Sequence, residues 1–309
     1  MDLVIGLDIG ATTLKAGLVT RSGKVLRTAI VKTGSPKGKE AVIANIHAVI
    51  GKIFDKRVRA IGIGSPGPLD TERGIILRTP NIPLYKVNLK RLVRSWFHVP
   101  VSLENDASSY ILGEAIYGAG KGKRVVIGLT IGTGCGGGIV IDKQLFKGRG
   151  NAGELGHTCI KYDGLRNRLG NDGDLEEYVS IRGVINRARK MGIRVETPKD
   201  LFDLARKKHA LAAKIWGKEG FYLGVAVTNL IHSFDPDVVI IGGNIANAWQ
   251  YLGRCVKETV RQRVLFSPPP IVKRKLAGKA GILGNAYLAW QRVEKREGKR
   301  KRTQKTRKT

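Results

Sequence analysis

The chain has 309 residues, of which 42% are hydrophobic and 26% charged, as in globular proteins and unlike disordered chains. This length predicts two domains with a sizeable core. The three cysteines form no C-x-x-C pair, which argues against a disulfide framework and a cysteine zinc site. Because there is no leader pattern and no apolar run of about 18 residues, we expect a cytoplasmic protein without a membrane partner.

The net charge of +30 would attract phosphate-bearing ligands, but also nucleic acid and anionic membranes without specificity. Residues 291–309 hold ten Lys/Arg and two Glu and contribute +8, so the rest of the chain keeps +22. The end of the chain has no aromatic side chain that could stack on bases. We therefore predict a disordered basic tail at 298–309 and no specific nucleic-acid partner.

An internal duplication organises the sequence. The segment VIGLDIG at 4–10 matches VIGLTIG at 126–132 in six of seven positions, with an offset of 122 residues. Each segment is followed by a short turn and a second apolar strand, LKAGLV at 14–19 and GGIVI at 137–141. This pattern predicts two β-hairpins with tight turns.

Strand and helix signals alternate along the remaining chain. Strands are predicted near 25–32, in RAIGIGSPGP, in VPVSLEND and at 238–243. Helices are predicted at 39–54, in DASSYILGEAIYG up to Gly118, and near 174–190, 198–207, 209–233, 245–263 and 282–297. We expect an α/β protein with a small domain, 1–105, that the helix near 283–297 completes, and a large domain, 106–282.

The glycine-rich turns could bind phosphate. Glycines let several backbone N–H groups approach one anion, and GTGCGGG at 132–138 adds the hydroxyl of Thr133. The first turn, DIGATT, has Thr12, Thr13 and the carboxylate of Asp8. A carboxylate would repel phosphates unless a cation intervened, which favours Asp8 as a Mg²⁺ partner through water. The alternative is that both are ordinary hairpin turns, and the Walker motif is absent.

Three further segments carry polar residues that could act in chemistry. Glu104-Asn105-Asp106 lies where a strand ends and a helix begins, so Asp106 could be a helix cap or a base that accepts a hydroxyl proton. GNAGELGH at 150–157 places Glu154 and His157 on a flexible loop, where they could bind vicinal hydroxyls. In DLEEYVS, Glu176 could equally be part of a charged first helical turn.

Together these segments resemble the ROK family of sugar kinases and repressors. The motifs occur in the family's order over roughly residues 3–290: DIGATTLKAGLV, GIGSPGPLD, LENDASSYILGEAIYGAG, LTIGTGCGGGIV, GNAGELGH, DLEEYVS and IIGGNIAN. The resemblance implies two actin-like (ribonuclease H-like) domains with an ATP and sugar cleft between them. It also implies a homodimer that uses MgATP to phosphorylate a hexose, with glucose at O6 as the first choice.

The resemblance also assigns roles to individual residues. Asp106 matches the family's catalytic base. The positions that match sugar-binding residues are Gly64, Asn81, Asn105, Glu154, His157 and Glu176. Those that match the phosphate-binding turns are Asp8, Gly10, Thr12, Thr13, Gly132, Thr133 and Gly134, and the adenosine side matches Gly242 and Gly243.

The sequence departs from the family pattern in two places. Ala11 stands where relatives usually have a second glycine in the first turn. Many relatives also carry a C-x-C-G-x-x-G-C zinc motif, whose cysteine positions are Asn167, Leu169 and Asp174 here. One histidine cannot hold zinc without such ligands, so we predict a loop without zinc. How firmly this loop holds His157 and Glu176 stays open at this point.

Several alternatives remain for the function. The acceptor could be N-acetylmannosamine, N-acetylglucosamine or fructose, and the donor could be polyphosphate. A non-catalytic sugar-sensing regulator is the alternative from another class. The family's repressors carry a helix-turn-helix ahead of the kinase-like domain, whereas this sequence starts at the first phosphate strand, so we expect a kinase.

Overall fold

The computed structural model describes the backbone of residues 1–306 and the side chains of residues 1–298. The chain divides into two compact units: unit 1 comprises Met1–Gly113 and Gly278–Thr309, and unit 2 comprises Glu114–Ala277. The domain limits expected from the sequence are 1–105 and 106–282, and they remain a prediction. Among the described residues, no helix has the length and apolarity needed to cross a bilayer.

Unit 1 contains a five-stranded sheet and a small three-stranded sheet. Its elements are β1 (Leu3–Ile9), β2 (Thr13–Val19), β3 (Val25–Lys32), α1 (Lys39–Gly51), β4 (Val58–Ser65), β5 (Leu69–Asp70), β6 (Ile75–Arg78), β7 (Tyr85–Asn88), α2 (Leu89–Phe97), β8 (Val101–Asn105) and the start of α3 (Asp106–Tyr117). The large sheet has the order β3-β2-β1-β4-β8, with β1, β4 and β8 parallel. Helix α2 and the small sheet β5-β6-β7 were not predicted from the sequence.

Unit 2 is built on a second five-stranded sheet. Its elements are β9 (Val125–Ile131), β10 (Cys135–Ile141), β11 (Gln144–Leu145), α4 (Leu175–Val179), α5 (Ile181–Lys190), α6 (Pro198–Arg206), α7 (Ala210–Phe234), β12 (Val238–Gly243), α8 (Trp249–Arg263) and β13 (Ile271–Lys273). The strand order is β11-β10-β9-β12-β13, which repeats that of unit 1. The last helix, α9 (Ala280–Thr306), returns to unit 1.

The duplication in the sequence extends to the sheets. Strands β9 and β10 begin and end 122 residues after β1 and β2. The turns differ, because Ile9 pairs with Leu14 whereas Ile131 pairs with Cys135. Four residues, 10–13, therefore separate the last paired residues of the first hairpin, and three residues, 132–134, separate those of the second.

Two predicted segments differ from the observed elements. The helix expected near 174–190 is divided into α4 and α5, because Ser180 is extended and its side chain accepts a hydrogen bond from the Gly183 N–H. Disorder was expected from residue 298, whereas α9 continues to Thr306, since its Lys, Arg, Glu and Gln residues are good helix formers. Residues 307–309 of the predicted tail lie outside the described residues.

Glycines allow the backbone of α9 to lie directly against the rest of unit 1. A Cβ atom at Gly62 in β4 would lie 1.8 Å from the carbonyl oxygen of Asn285. A Cβ atom at Gly284 would lie 1.7 Å from the carbonyl oxygen of Ser109 in α3. Because both opposing atoms belong to the backbone, no side-chain rotation could make room.

Replacing Gly62 by alanine should therefore destabilise unit 1. The added methyl group forces α9 away from the sheet, and overpacking of this kind costs about 1–3 kcal/mol or more. Urea denaturation followed by circular dichroism measures the change. The matched control is Gly51→Ala at the end of α1, where an added Cβ meets nothing within 4 Å. An unchanged unfolding midpoint for Gly62→Ala would show that α9 does not need this close approach.

Candidate functional site

Three of the predicted site residues lie at one edge of the unit 1 sheet. The parallel strands β1, β4 and β8 end there, and Asp8 on β1 lies level with Gly64 on β4. Gly64 in turn lies level with Glu104, and Asn105 is the last residue of β8. Since ligands of α/β folds bind at the carboxyl ends of such strands, this edge is the candidate site of unit 1.

Asp106 is the first residue of α3, directly after β8. The Asn105 Oδ1 atom accepts a hydrogen bond of 3.0 Å from the Ser108 N–H, so Asn105 provides the helix cap. The Asp106 Oδ1 atom accepts one of 2.9 Å from the Ala107 N–H. The half-buried carboxylate of Asp106 thus lies at a helix N-terminus, where the helix dipole is favourable for negative charge.

The carboxylate of Asp8 lies beside the first turn of α9. A Cβ atom at Gly281 would lie 3.0 Å from its Oδ2 atom, so glycine leaves the room for it. Burial raises the pKa of Asp8, while the positive charge of Lys15, its neighbour across the hairpin, acts in the opposite direction. Burial therefore disfavours the charged form of this carboxylate, and a bound cation would stabilise it.

The first glycine-rich turn is held by Thr33, the residue after β3. Within the turn, the Gly10 N–H donates to the Thr13 carbonyl oxygen at 3.0 Å. The Thr33 hydroxyl donates to the Gly10 carbonyl oxygen at 2.6 Å, and its N–H donates to that of Thr12 at 2.9 Å. Two carbonyl oxygens of the turn are therefore engaged by protein donors, which is favourable for a turn that binds anions through N–H groups.

The second glycine-rich turn contacts Glu176. The Gly132 N–H donates to the Gly134 carbonyl oxygen at 2.8 Å, and Thr133 is exposed. The Glu176 Oε2 atom accepts a hydrogen bond of 2.7 Å from the Cys135 N–H. A Cβ atom at Gly134 would lie 2.5 Å from that oxygen, so glycine lets the carboxylate reach the turn. Glu176 and the predicted phosphate turn therefore belong to one cluster.

Gly242 and Gly243 lie beside the strand that leads into this turn. They end β12 and pair with Thr130 and Ile131 of β9. Gly243 has a φ of 76°, and a Cβ atom there would lie 2.2 Å from the Ile131 carbonyl oxygen. The Arg274 Nε atom donates to the Gly243 carbonyl oxygen at 3.2 Å. The residues predicted for adenosine and for phosphate thus lie on adjacent strand ends of unit 2.

The loop at 150–157 packs on β10 next to the second turn. A Cβ atom at Gly156 would lie 1.8 Å from the Cys135 carbonyl oxygen, so only glycine allows this contact. Glu154 and His157 are exposed on the loop. Burial lowers the pKa of His157, but the hydrogen bond to Asp174 and the charges of Glu176, Asp174 and Glu154 outweigh it and raise the pKa overall. The loop therefore places His157 in an acidic environment.

Hydrogen bonds close the loop at 167–174, for which no zinc was predicted from the sequence. The Asn167 amide donates to the Asp174 carboxylate, and its Oδ1 atom accepts from the N–H groups of Leu169 and Asn171. In the part of the chain that the structure describes, no group of three or more His, Cys, Asp or Glu residues could hold a metal ion. Of the three positions that correspond to the cysteines of the zinc motif, Asn167 and Asp174 therefore close the loop through polar contacts. The third, Leu169, is exposed.

Asn81 is a predicted sugar contact in unit 1. It lies exposed between β6 and β7 and has no hydrogen bond to the other predicted residues within the described part of the chain. Its role stays a prediction.

Unit 2 contains a buried ion pair that was not predicted from the sequence. Glu219 of α7 is fully buried, and its Oε2 atom lies 2.8 Å from the Arg187 Nη1 atom. Arg187 also donates to the Tyr178 carbonyl oxygen of α4 at 2.6 Å. Burial raises the pKa of Glu219, while the charge and the hydrogen bond of Arg187 act in the opposite direction and stabilise the carboxylate. The signal was a glutamate on the apolar face of α7, between Trp216 and Leu223.

The chain is similar to known proteins in both sequence and structure. Residues 4–292 match the protein family described as the ROK family. A glucokinase of Thermotoga maritima is 36% identical over 94% of this chain and 98% of its own. The ROK hexokinase structure from Thermus thermophilus is 31% identical with a TM-score of 0.84, covering 95% of this chain and 99% of that one.

A structure from Streptomyces griseus that contains bound ligands is also similar to this chain. It is a ROK family glucokinase in complex with glucose and AMPPNP, 32% identical with a TM-score of 0.80, and the match covers 94% of this chain and 99% of that one. These likenesses confirm the predicted α/β class with two actin-like domains.

Replacing Arg187 by methionine should strongly destabilise unit 2. The change leaves the Glu219 carboxylate buried without its partner, which typically costs about 3–5 kcal/mol. The control is Arg254→Met, because Arg254 pairs with Glu258 at the surface of the same unit and exposed pairs contribute about 0–1 kcal/mol. Thermal denaturation of both variants decides the matter, and equal midpoints would mean that the buried pair does not stabilise the unit.

Proposed function

This chain belongs to the ROK family, and from this premise we propose that it phosphorylates a hexose with ATP, with glucose at O6 as the preferred acceptor. The chain is an ATP-dependent sugar kinase, as its glucokinase and hexokinase relatives indicate. One observation carries the assignment of the site: Asp8 and Asp106 lie at the same edge of the unit 1 sheet, on strand ends and a helix start. A kinase needs both a metal partner and a base.

In the proposed reaction, Asp106 accepts the proton of the sugar's primary hydroxyl while that oxygen attacks the terminal phosphorus of ATP. The bond between this phosphorus and the bridging oxygen breaks, and ADP leaves. Asn105 binds the sugar through its Nδ2 group, because its Oδ1 atom already caps α3. Gly64 lies level with Asp8 and Glu104, and a Cβ atom there would lie 2.6 Å from the Asn285 Nδ2 atom, so glycine makes room for that side chain.

The two glycine-rich turns hold the phosphates in this proposal. Their backbone N–H groups and threonine hydroxyls are donors of the kind that binds phosphate oxygens. The residues assigned to the phosphates are Gly10, Thr12, Thr13, Gly132, Thr133 and Gly134, and those assigned to adenosine are Gly242 and Gly243.

Mg²⁺ fits the Asp8 site by the chemistry of the donor. Asp8 offers carboxylate oxygens, which Mg²⁺ prefers, and burial makes the charged carboxylate unfavourable without a cation. We assign Asp8 as the Mg²⁺ partner, through water. When bound, Mg²⁺ neutralises charge on the phosphate oxygens.

The sugar-binding residues of unit 2 complete the proposal. We assign Glu154, His157 and Glu176 to hydroxyl groups of the sugar. The proposal extends to a homodimer and a cytoplasmic location, for which the family resemblance and the composition are the support. The basic surface attracts nucleic acid without specificity, and we propose no specific nucleic-acid or membrane partner.

A coupled assay of ADP formation tests the function. Purified protein with MgATP is offered glucose, fructose, N-acetylglucosamine or N-acetylmannosamine, and polyphosphate replaces ATP in a parallel series. We expect the highest kcat/KM for glucose with ATP. Sugar binding without any sugar-dependent ADP release would instead indicate a sugar-sensing regulator.

The replacement Asp106→Asn should remove the base. We expect kcat to fall by roughly 10²–10⁴-fold, because general-base catalysis contributes that much, while ATP binding measured by calorimetry stays intact. The control is Asp2→Asn, the same chemical change at a half-exposed position of unit 1. Near-normal turnover of Asp106→Asn would exclude Asp106 as the base.

A further inference from the structure

In unit 2, hydrogen bonds connect a chain of three side chains, those of Asn167, Asp174 and His157. Asp174 lies directly before α4, and only 4% of its side chain is exposed. Its Oδ2 atom contacts the His157 Nδ1 atom at 3.0 Å and also accepts the amide of Asn167. Of the His157 side chain, 44% is exposed. The chain thus joins a buried carboxylate to a ring at the surface of the candidate site.

The direction of each hydrogen bond in this chain follows from the backbone. Two N–H groups, of Leu169 and Asn171, donate to the Asn167 Oδ1 atom at 2.8 and 2.9 Å. The oxygen of the Asn167 amide is thereby identified, so its NH₂ group must face Asp174. The ionised Asp174 carboxylate can only accept, and the His157 Nδ1 atom must therefore carry a proton.

The backbone segments that follow His157 and flank Asp174 are hydrogen-bonded to each other. The Leu175 N–H donates to the Thr158 carbonyl oxygen at 3.0 Å, and the Ile160 N–H donates to that of Gly173 at 2.9 Å. These two bonds place the residue after His157 beside the residue after Asp174. The contact between the two side chains is therefore built into the loop and does not depend on a ligand.

We propose that Asp174, itself oriented by Asn167, is a positioning residue that fixes the ring and the Nδ1–H tautomer of His157, so that Nε2 accepts a hydrogen bond from a sugar hydroxyl. The sugar in this inference rests on the proposed function, whereas the tautomer does not. A carboxylate that holds the second ring nitrogen gives the histidine one orientation and one hydrogen-bonding role.

The charges around His157 determine at which pH this role is available. Glu154 on its own loop, and Asp174 and Glu176 at α4, stabilise the protonated ring, while burial opposes them. The Cys135 thiol of β10 stays uncharged, because burial raises its pKa. The pKa of His157 is raised overall, so Nε2 accepts a hydrogen bond only above that raised value. Sugar affinity should therefore fall as the pH falls through it.

The replacement Asp174→Asn tests the proposal with the matched control Asp172→Asn. Asp172 is an exposed residue of the same loop, so its replacement makes the same chemical change outside the chain. The first readout is the NMR titration of the five histidines, in which His157→Gln identifies the signals of His157. We expect Asp174→Asn to lower the pKa of His157 and Asp172→Asn to leave it unchanged.

The second readout is kinetic. In Asp174→Asn we expect the KM for the sugar to rise about tenfold, with kcat and the KM for ATP within about threefold, because the lost contact acts on sugar binding. The fall of sugar affinity at low pH should move to lower pH, following the pKa of His157. A merely structural role of Asp174 would change the unfolding midpoint and leave this pH dependence in place.

Asn167→Ala keeps the proposal testable if Asp174→Asn does not fold. Asp174 remains in that variant, so His157 should keep its raised pKa while the KM for the sugar rises. An unchanged His157 titration in Asp174→Asn, or an unchanged sugar KM in Asn167→Ala, would overturn the proposal. If the unmodified protein shows no kinase activity, the proposed function fails, and the NMR titration still decides whether Asp174 controls the protonation of His157.

Discussion

The close approach of helix α9 to the unit 1 sheet is the contact on which the candidate site of unit 1 depends. A Cβ atom at Gly62 would lie 1.8 Å from the Asn285 carbonyl oxygen, so the helix backbone rests on the strand backbone. From this position the buried Asn285 amide donates to the Leu7 carbonyl oxygen at 2.7 Å, one residue before Asp8. Gly281 of the same helix leaves the room that the Asp8 carboxylate occupies. A segment from the far end of the sequence thus supports the proposed metal partner.

The same helix also supports the proposed base. Cβ atoms at Gly113 and Gly284 would lie 2.1 and 1.7 Å from the carbonyl oxygens of Ala280 and Ser109, so α3 and α9 cross at backbone contact. Helix α3 begins with Asp106. Helix α9 contacts both β1 and α3, and it therefore supports the elements that carry Asp8 and Asp106. Close packing of this kind restricts the motions that would blur a catalytic geometry.

Unit 2 repeats the sheet but uses its glycines for a different purpose. The register partner of Asp8 is Gly64, and the corresponding pair in unit 2 is Thr130 with Gly242. No carboxylate occupies the Thr130 position. Instead Glu176 reaches the second turn from α4, through the space that Gly134 leaves. The duplicated scaffold therefore brings an acidic side chain to each turn by two routes, one within the strand and one from a helix that follows it.

The sequence by itself determined the duplicated hairpins, the family and the kinase activity, because these are written in contiguous motifs and in a local alternation of apolar residues. Only the tertiary structure decided what supports them: α9 on the glycines of β4, the Arg187–Glu219 pair, and the hydrogen bonds from Asn167 through Asp174 to His157. Periodicity shows that a face is buried, but not which distant segment covers it. A polar residue acquires its role from a partner that only folding brings within 3 Å or so.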